Sequence, residues 1–525
     1  MVCLKPCVLA VLLAAVQLTS MAAAQDDNSL SELQARIESL EQQNLALMER
    51  LISEPFQTRP VSETEPSSIP VTEIQSAVDR YLQDVAQAAD EPQQYEVGKH
   101  LDMSARWQNG GVAGFYVETP DDSFRVHVGG RTQMDFVVLN GDQSIENSVD
   151  PLRDGVNFRR ARFAIDGTLW GVVDFWMEYD FLNTANVEPT VGATQSNVVN
   201  TTAPTDLWVA FKELPAIGNV RIGNQKPPLS FERLTSSRFL NFLERSTNVD
   251  GYINGLDNGF RPGIQVFNWA PNERMTWAVG VFKNNTTVLG WNQGDGEYDV
   301  TGRLTALPWY QYDGRYLMHV GIGASHRDTD EGRVRYRART LLRNGPSALH
   351  STLAQVRALA DNETVLVPEL VIVNGPVSLE SEYFAVWAND TQFPINAPVQ
   401  RGTTFYQGAY ATLGYFLTGE HRRYDTKYPR FDRVKPYENF FCVKGCRGPA
   451  VGWGAWQVVA RYDWMDIEDG GVAGGEIHAG TFGINWFLNP NMKIQSNYVY
   501  EQLDSPTPNT SGDVHGFGMR LHIDF

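Results

Sequence analysis

The last twelve residues of the chain, 514–525, alternate between apolar and other side chains. One phase holds Phe517, Met519, Leu521, Ile523 and Phe525. The other phase holds Gly518, Arg520, His522 and Asp524. Because successive side chains of a strand point to opposite faces, this pattern predicts a β-strand with one apolar face and one face in water.

The two ends of the chain indicate its compartment. The last strand ends at the aromatic residue Phe525, which resembles the end of the terminal strand in outer-membrane β-barrels. We therefore expect Phe525 to be an assembly signal that the barrel-assembly machinery recognises. The alternative is an edge strand of a soluble β-sandwich. At the other end, residues 1–24 combine Lys5, an apolar run and Ala22–Ala24, which is typical of a signal peptide. No later segment has the roughly 20 apolar residues of a transmembrane helix, so we expect an outer-membrane barrel.

Composition excludes several classes of protein. With 45 Gly and 11% aromatic residues, the chain suits a large all-β protein. Cys442 and Cys446, the two cysteines that follow the signal peptide, could form a local disulfide but are too few for a structural zinc site. No catalytic, P-loop or metal motif is present, so we predict no enzyme, no cofactor and no metal. The net charge of −19 argues against a nucleic-acid partner.

The segment after the signal peptide predicts a coiled coil over residues 25–53. Its seam follows a 3,4 spacing: Leu30, Leu33, Ile37, Leu40, Asn44, Leu47 and Leu51. The motif at 36–41 is associated with trimeric coiled coils, although a surface helix packed on its own chain remains the alternative. Residues 54–120 then form a predicted periplasmic linker, rich in proline and containing a second helix near 71–89.

Residues 121–525 predict a sixteen-stranded antiparallel transmembrane β-barrel, an all-β fold. The candidate strands lie near 124–139, 156–169, 171–182, 204–213, 218–226, 259–269, 274–284, 297–307, 315–326, 365–373, 377–388, 403–418, 453–466, 476–488, 491–502 and 514–525. Their polar phase carries charges such as Asp174, Glu178 and Arg520. These charges must line water, so the apolar phase faces lipid.

The predicted connections alternate between short turns and long loops, as outer-membrane barrels require. Long loops are expected at 140–155, 183–203, 227–258, 327–364 and 389–402. An even strand number places both ends of the barrel in the periplasm. The connection at 419–452 breaks the pattern, because a short turn is expected there.

Several segments resemble the phosphate-selective porins O and P. They are FRRARFAIDG at 158–167, IGNQKPPLSFERLTSSRFLNFLERS at 222–246, GRVRYRAR at 332–339, GPVSLESEYF at 375–384, YFLTGEHRRYD at 415–425, FDRVKP at 431–436, GAWQVVARY at 454–462 and INWFLNPNMKIQSNYV at 484–499. The resemblance implies a homotrimeric anion-selective porin, embedded in outer-membrane lipid and lipopolysaccharide, whose third and fifth external loops and one long periplasmic turn fold into the barrel.

Four arginines alternate with other residues in one segment: Arg333, Arg335, Arg337 and Arg339. In an extended segment their side chains lie on one side, roughly 6.6–7 Å apart. Guanidinium groups stay charged and match phosphate oxygens, so such a row could pass an anion between several moderate wells. A solvated loop face or a lipopolysaccharide contact explains the same pattern. The resemblance implies the first interpretation, an arginine ladder on loop five.

The Phe-Arg-Arg-Ala-Arg segment supplies the second group of candidates. Arg160 and Arg162 fall in the inward phase, whereas Arg159 must either be turned inward by a bulge or reach a membrane interface. The resemblance implies that constriction arginines lie in this segment. On the predicted third loop, Lys226, Arg233, Arg238 and Arg245 add positive charge, unless Glu232 and Glu244 pair with them. The 419–452 connection is also rich in basic residues, which fits either a funnel for anions or a contact with peptidoglycan or neighbouring subunits.

These observations predict an outer-membrane porin that passes anions, phosphate or polyphosphate, through an arginine-lined pore. A general-diffusion porin with the same fold is the first alternative. The second is a barrel that anchors the envelope to the cell wall through its coiled coil.

Overall fold

The computed structural model describes residues 104–107, 115–121, 123–148, 152, 154–186, 198–253, 259–283, 296–329, 332–343, 352–440, 443–445, 448–450 and 452–525. The expected signal peptide, coiled coil and second helix lie outside these residues, as do Cys442 and Cys446. Among the described helices, none is long and apolar enough to cross a membrane, a finding that does not bear on strands.

Sixteen antiparallel strands close into a barrel, which confirms the predicted fold class. A hairpin of β1 (Ser104–Trp107) and β2 (Phe115–Glu118) precedes them and pairs with the first barrel strand. The first nine barrel strands are β3 (Arg125–Gly141), β4 (Gly155–Leu169), β5 (Val173–Asn186), β6 (Val198–Leu214), β7 (Gly218–Gln225), β8 (Arg261–Trp269), β9 (Met275–Lys283), β10 (Tyr298–Gln311) and β11 (Tyr316–Asp328).

A hairpin of β12 (Arg333–Arg339) and β13 (Thr352–Leu359) then interrupts the wall within a loop. The wall continues with β14 (Asn362–Asn374), β15 (Val377–Phe393), β16 (Val399–Phe416), β21 (Ala455–Asp466), β22 (Glu476–Asn489), β23 (Met492–Asp504) and β24 (Gly512–Asp524). Four short strands, β17 (Tyr424–Asp425), β18 (Arg430–Phe431), β19 (Val443–Gly445) and β20 (Gly448–Ala450), lie in one connection. The described helical pieces are α1 (Gln143–Ser148), α2 (Phe231–Leu234) and a π-helical turn (Val249–Ile253).

Alternation within the strands follows the sequence. On β24, Phe517 and Leu521 are 41% and 40% exposed on the outer face, whereas Arg520 and His522 are buried inside. The barrel closes because β24 pairs with β3, with Asp524 opposite Arg131. Each of the sixteen predicted strands corresponds to a strand of the wall, so period-two patterning located the whole barrel.

Two loops fill part of the lumen. Loop 3, residues 226–260 between β7 and β8, and loop 5, residues 329–361 between β11 and β14, both fold inward. A Cβ added at Gly518 would lie 2.6 Å from the Leu342 Cδ2 atom of loop 5 and 2.9 Å from the Leu243 Cδ2 atom of loop 3. The inward glycines of β24 therefore make room for these loops, since any larger side chain would meet them.

The connection between β16 and β21, residues 417–454, also enters the barrel and is called the long turn below. Phe431 of the long turn is buried and meets Phe231 of loop 3 edge to face, with ring centroids 5.0 Å apart. The Phe431 amide donates a hydrogen bond to Thr235 Oγ1 at 3.3 Å. Loop 3 thus packs against a segment that reaches it from the short-turn end of the barrel.

One expected loop is much shorter than predicted. The connection at 389–402 was expected to be long, but β15 continues to Phe393 and β16 begins at Val399, so the prediction was wrong. Strands β15 and β16 remain paired as far as Phe393 and Val399, beyond the apolar band of the barrel. In this part of the strands apolar and polar residues no longer alternate, so the sequence pattern did not reveal it. Within the predicted linker, β1 pairs with β2, and β2 pairs with β3.

Candidate anion-binding site

The lumen contains a cavity of about 510 Å³ between strands β3 to β7 and the inward-folded loops. Its lining includes fourteen cationic residues: Arg125, Arg131, Arg159, Arg160, Arg162, Arg221, Lys226, Arg233, Arg238, Arg245, Arg337, Arg339, Arg343 and Arg430. Seven carboxylates share the lining: Asp166, Asp174, Glu178, Asp180, Asp206, Glu244 and Asp250. The lining therefore has seven more basic than acidic residues, inside a chain whose net charge is −19.

A β-bulge resolves the orientation of Arg159. Gln133 of β3 is paired with Arg160, but the next residue, Met134, is paired with Phe158, so Arg159 is the extra residue of β4. The bulge turns Arg159 into the lumen. Arg159, Arg160 and Arg162 consequently all line the cavity.

Each of these three arginines has a specific partner. Arg159 donates to Glu244 of loop 3 from Nε at 2.7 Å and from Nη2 at 3.1 Å. Arg160 Nη1 donates to Gln133 Oε1 at 2.7 Å, a neutral acceptor. Arg162 Nε donates to Asp180 at 2.7 Å, and its Nη1 donates to Glu178 at 2.9 Å. Partners on neighbouring strands and on loop 3 fix the guanidinium planes, and the hydrogen-bond partner of Arg160 is a neutral amide.

The four arginines of loop 5 lie on β12, as the prediction of an extended segment requires. The alternating residues Val334, Tyr336 and Ala338 are buried in the apolar cluster between loop 5 and the barrel wall. The arginine face therefore turns away from that cluster.

The four arginines do not occupy equivalent places. Arg337 and Arg339 line the cavity, together with Arg343 farther along the loop, whereas Arg333 and Arg335 lie outside its lining. Arg335 Nε donates to Gln355 Oε1 of β13 at 2.9 Å, and Arg333 is exposed.

Two carboxylates of loop 3 hold the arginines of several elements. Asp250 accepts from Arg339 Nε at 2.6 Å and lies 3.2 Å from Arg343 Nη2. Burial opposes ionisation of Asp250, but Arg339 and Arg343 outweigh it and hold the pKa of this carboxyl well below its ordinary value. The pKa of Glu244 is likewise lowered, since Arg159 and Arg343 outweigh its burial. Both groups remain ionised counterions of the arginines.

The remaining candidates of loop 3 also line the cavity. Lys226 Nζ donates to the Arg233 carbonyl oxygen at 3.0 Å. Burial, with the nearby charges of Arg245 and Arg233, lowers the pKa of Lys226 well below its ordinary value. Arg233 donates to the Gly259 carbonyl oxygen, and Arg238 Nε lies 3.6 Å from Asp524 of β24.

Sequence reasoning missed four cations of this site, Arg125, Arg131, Arg221 and Arg343. Arg131 Nη2 donates to Glu178 at 2.7 Å, and its place in the inward phase of β3 was a signal that could have identified it. Arg343 lies beyond the alternating segment, so no pattern marked it. Of the basic residues in the long turn, Arg430 lines the cavity, whereas Arg423 pairs with Asp313 at 2.6 Å.

Comparison with known proteins gives consistent similarities. The sequence profile of the phosphate-selective porin O and P family matches residues 126–525. Porin O of Pseudomonas aeruginosa is 25% identical over 441 residues, covering 78% of this chain and 90% of the relative. A protein of Caulobacter vibrioides is 27% identical over 425 residues, covering 77% and 74% of the two chains.

Solved porin structures are more distant. An anion-selective porin from Comamonas acidovorans has 11% sequence identity and a TM-score of 0.42, with 77% of this chain and 100% of that chain covered. The in-vitro folded trimer form of OmpT, from Vibrio cholerae, has 11% identity and a TM-score of 0.42, with 76% and 100% covered.

Proposed function

The chain belongs to the phosphate-selective porin O and P family of outer-membrane porins, and from this premise we propose that it passes phosphate or polyphosphate through the arginine-lined cavity. The observation that carries the proposal is the excess of seven basic over acidic residues in the lining. A low-dielectric wall strengthens that field, which raises the local concentration of anions and repels cations. The acidity of the rest of the chain does not oppose it, because selectivity depends on the narrowest part.

Arginine chemistry supports phosphate over a generic anion. Each guanidinium offers a planar fork of donors that matches two phosphate oxygens at once. Arg159, Arg160 and Arg162 lie on the barrel wall, and Arg337, Arg339 and Arg343 lie on loop 5. A phosphate that moves through the cavity would leave one pair of arginines as it binds the next pair. Conduction needs several such moderate wells, since a single deep well would trap the ion.

The carboxylates of the cavity keep those wells moderate. Glu178, Asp180, Glu244 and Asp250 each pair with one or more arginines. A passing anion must compete with these internal counterions, so the net attraction is smaller than the number of arginines alone indicates.

We also propose an oligomeric state, a periplasmic N-terminal segment and an assembly signal for the channel. The family and the heptad seam of residues 25–53 support a homotrimer whose N-terminal segment lies in the periplasm. The Phe525 amide donates to the Gly130 carbonyl oxygen at 3.1 Å, so this residue completes the seam between β24 and β3. Its proposed role as an assembly signal predicts that Phe525→Asp leaves the chain out of the outer membrane.

Reversal potential in a KCl gradient across a planar bilayer tests the function. The potential should report chloride as the main carrier, and added phosphate should reduce the chloride current in a saturable manner. Equal permeability to K⁺ and Cl⁻ would instead indicate a general-diffusion porin. A deletion of residues 25–100 that detaches the envelope while conductance stays intact would support the anchoring function.

A further inference from the structure

An aromatic pair faces the lumen beside the arginines. Trp176 of β5 and Trp208 of β6 are directly opposite in the strand register, and their rings stack with centroids 6.2 Å apart at 27°. Both are half-buried and line the cavity. Porin lumens are polar, and aromatic residues of barrels usually lie outside, at the membrane interfaces. Because Trp176 and Trp208 face the lumen, contact with lipid does not explain this pair.

A cation and a further aromatic ring lie next to the tryptophan pair. Arg221 of β7 lies over the Trp208 ring at 4.1 Å and within 5.7 Å of the Tyr428 ring in the long turn. The Trp208 indole N–H donates to Asp206 Oδ1 at 3.1 Å, which fixes the orientation of its ring. An aromatic surface beside a cation is suited to bind a flat, electron-rich ring by stacking.

The strand geometry gives the distance from this surface to the arginines. Trp176 and Glu178 are successive inward residues of β5, so they lie roughly 6.6–7 Å apart along the strand. Glu178 accepts from Arg131 at 2.7 Å and from Arg162 at 2.9 Å, which places both guanidinium groups at its level. The distance from a ring stacked on the tryptophans to a phosphate bound by these arginines would thus be about the length that one sugar and one phosphate ester bond span.

We propose that the cavity binds nucleoside monophosphates, with the base stacked on Trp176 and Trp208 and the phosphate on the Arg131–Arg162 cluster. The cavity of about 510 Å³ lies within the roughly 300–1,000 Å³ of pockets for drug-sized ligands, more room than orthophosphate requires. This inference names a substrate class for the proposed anion channel and rests on that function. It adds a ring-binding subsite that a channel for inorganic phosphate does not need.

The test compares three anions on the full-length chain in planar bilayers. Adenosine 5′-monophosphate carries a base, glycerol 2-phosphate is a phosphate monoester without a ring, and orthophosphate is the reference. The readout is the concentration that halves the chloride current. We expect adenosine monophosphate to act at a concentration about tenfold lower than glycerol phosphate, the size expected for one stacked base.

Paired variants separate ring binding from folding. In the Trp176→Leu, Trp208→Leu double variant the advantage of adenosine monophosphate should disappear, while inhibition by glycerol phosphate persists. The Trp176→Phe, Trp208→Phe variant should retain most of the advantage of adenosine monophosphate, because an aromatic face remains at both positions. Trp277→Leu, on the outer face of β9 at 40% exposure, is the control and should behave as the wild type.

The outcomes distinguish the subsite from the channel function. Equal inhibition by adenosine monophosphate and glycerol phosphate in the wild type, or loss of the advantage in the Phe variant as in the Leu variant, would overturn the subsite. If orthophosphate still inhibits in that case, the proposed function stands. Ring-dependent inhibition without any effect of orthophosphate would support the subsite and contradict phosphate selectivity.

Discussion

Arg159 of β4 and Glu244 of loop 3 form a two-point ion pair, with Arg159 Nε 2.7 Å and Nη2 3.1 Å from the Glu244 oxygens. The pair depends on the β-bulge, since without it Arg159 would face lipid. The same carboxylate lies 3.3 Å from Arg520 Nη2 of β24 and 3.4 Å from Arg343 Nη1 of loop 5. Glu244 thus links two barrel strands and loop 5 around the cavity.

We expect Glu244→Gln to bind phosphate more tightly and conduct it more slowly. The neutral amide leaves three guanidinium groups without their shared counterion, so an entering anion meets a deeper well. The phosphate concentration that half-saturates the current should fall by roughly tenfold, the effect of one charge-assisted contact. Asp313→Asn, which removes a carboxylate that is 79% exposed, is the control and should change neither value. A wider, less selective channel would mean that Glu244 mainly holds loop 3 in place.

The loop 5 arginines allow a matched comparison within one strand. We expect Arg337→Ala with Arg339→Ala to lower anion selectivity and weaken phosphate inhibition by about tenfold or more, because these residues line the cavity. Arg333→Ala with Arg335→Ala removes the same charge outside the lining and should have a smaller effect. Lysine at 337 and 339 should keep the reversal potential but weaken phosphate inhibition, since the bidentate fork is lost. Equal effects of the two alanine pairs in bilayer recordings would contradict the assignment.

The sequence predicted the barrel wall because its signals are local. Alternation within each strand and short turns such as that between Asn489 and Met492 need no knowledge of distant residues. The row of arginines on β12 was predicted for the same reason. The partner strand β13 was not predicted, because Leu353 and Leu359 share a phase with Gln355 and Arg357 and interrupt the alternation.

The counterions of the site could not be predicted. Glu244 pairs with Arg159 across 85 residues and with Arg520 across 276 residues, contacts that exist only once the barrel has closed and loop 3 has folded inward. The bulge at Arg159 depends on the register with β3, which strand periodicity does not reveal. Sequence could therefore identify most of the cations but not how strongly each is neutralised.

The heptad segment predicts an oligomer that can be tested alone. A synthetic peptide covering residues 28–53, which lie outside the described part of the chain, should favour trimers because of its apolar seam and the motif at 36–41. Three heptads are short, so the association should be weak. Sedimentation equilibrium over a range of concentrations measures it, with an Ile37→Asp peptide as the monomeric control. Dimers alone would remove this support for a trimeric porin.

The contact between the long turn and loop 3 should matter for both stability and selectivity. Phe431→Ala removes a ring that is 1% exposed and packed on Phe231, so the free energy of unfolding should fall by about 3–5 kcal/mol. Loop 3 should also become less restrained, because the Phe431 side chain no longer supports α2, and open-channel noise should increase while anion selectivity decreases. Tyr437→Ala, in the same turn but 64% exposed, is the matched control and should cost much less stability. Unfolding in urea and single-channel recordings measure the two effects. If Phe431→Ala destabilises the barrel while noise and selectivity match the control, the long turn supports the wall and not the cavity.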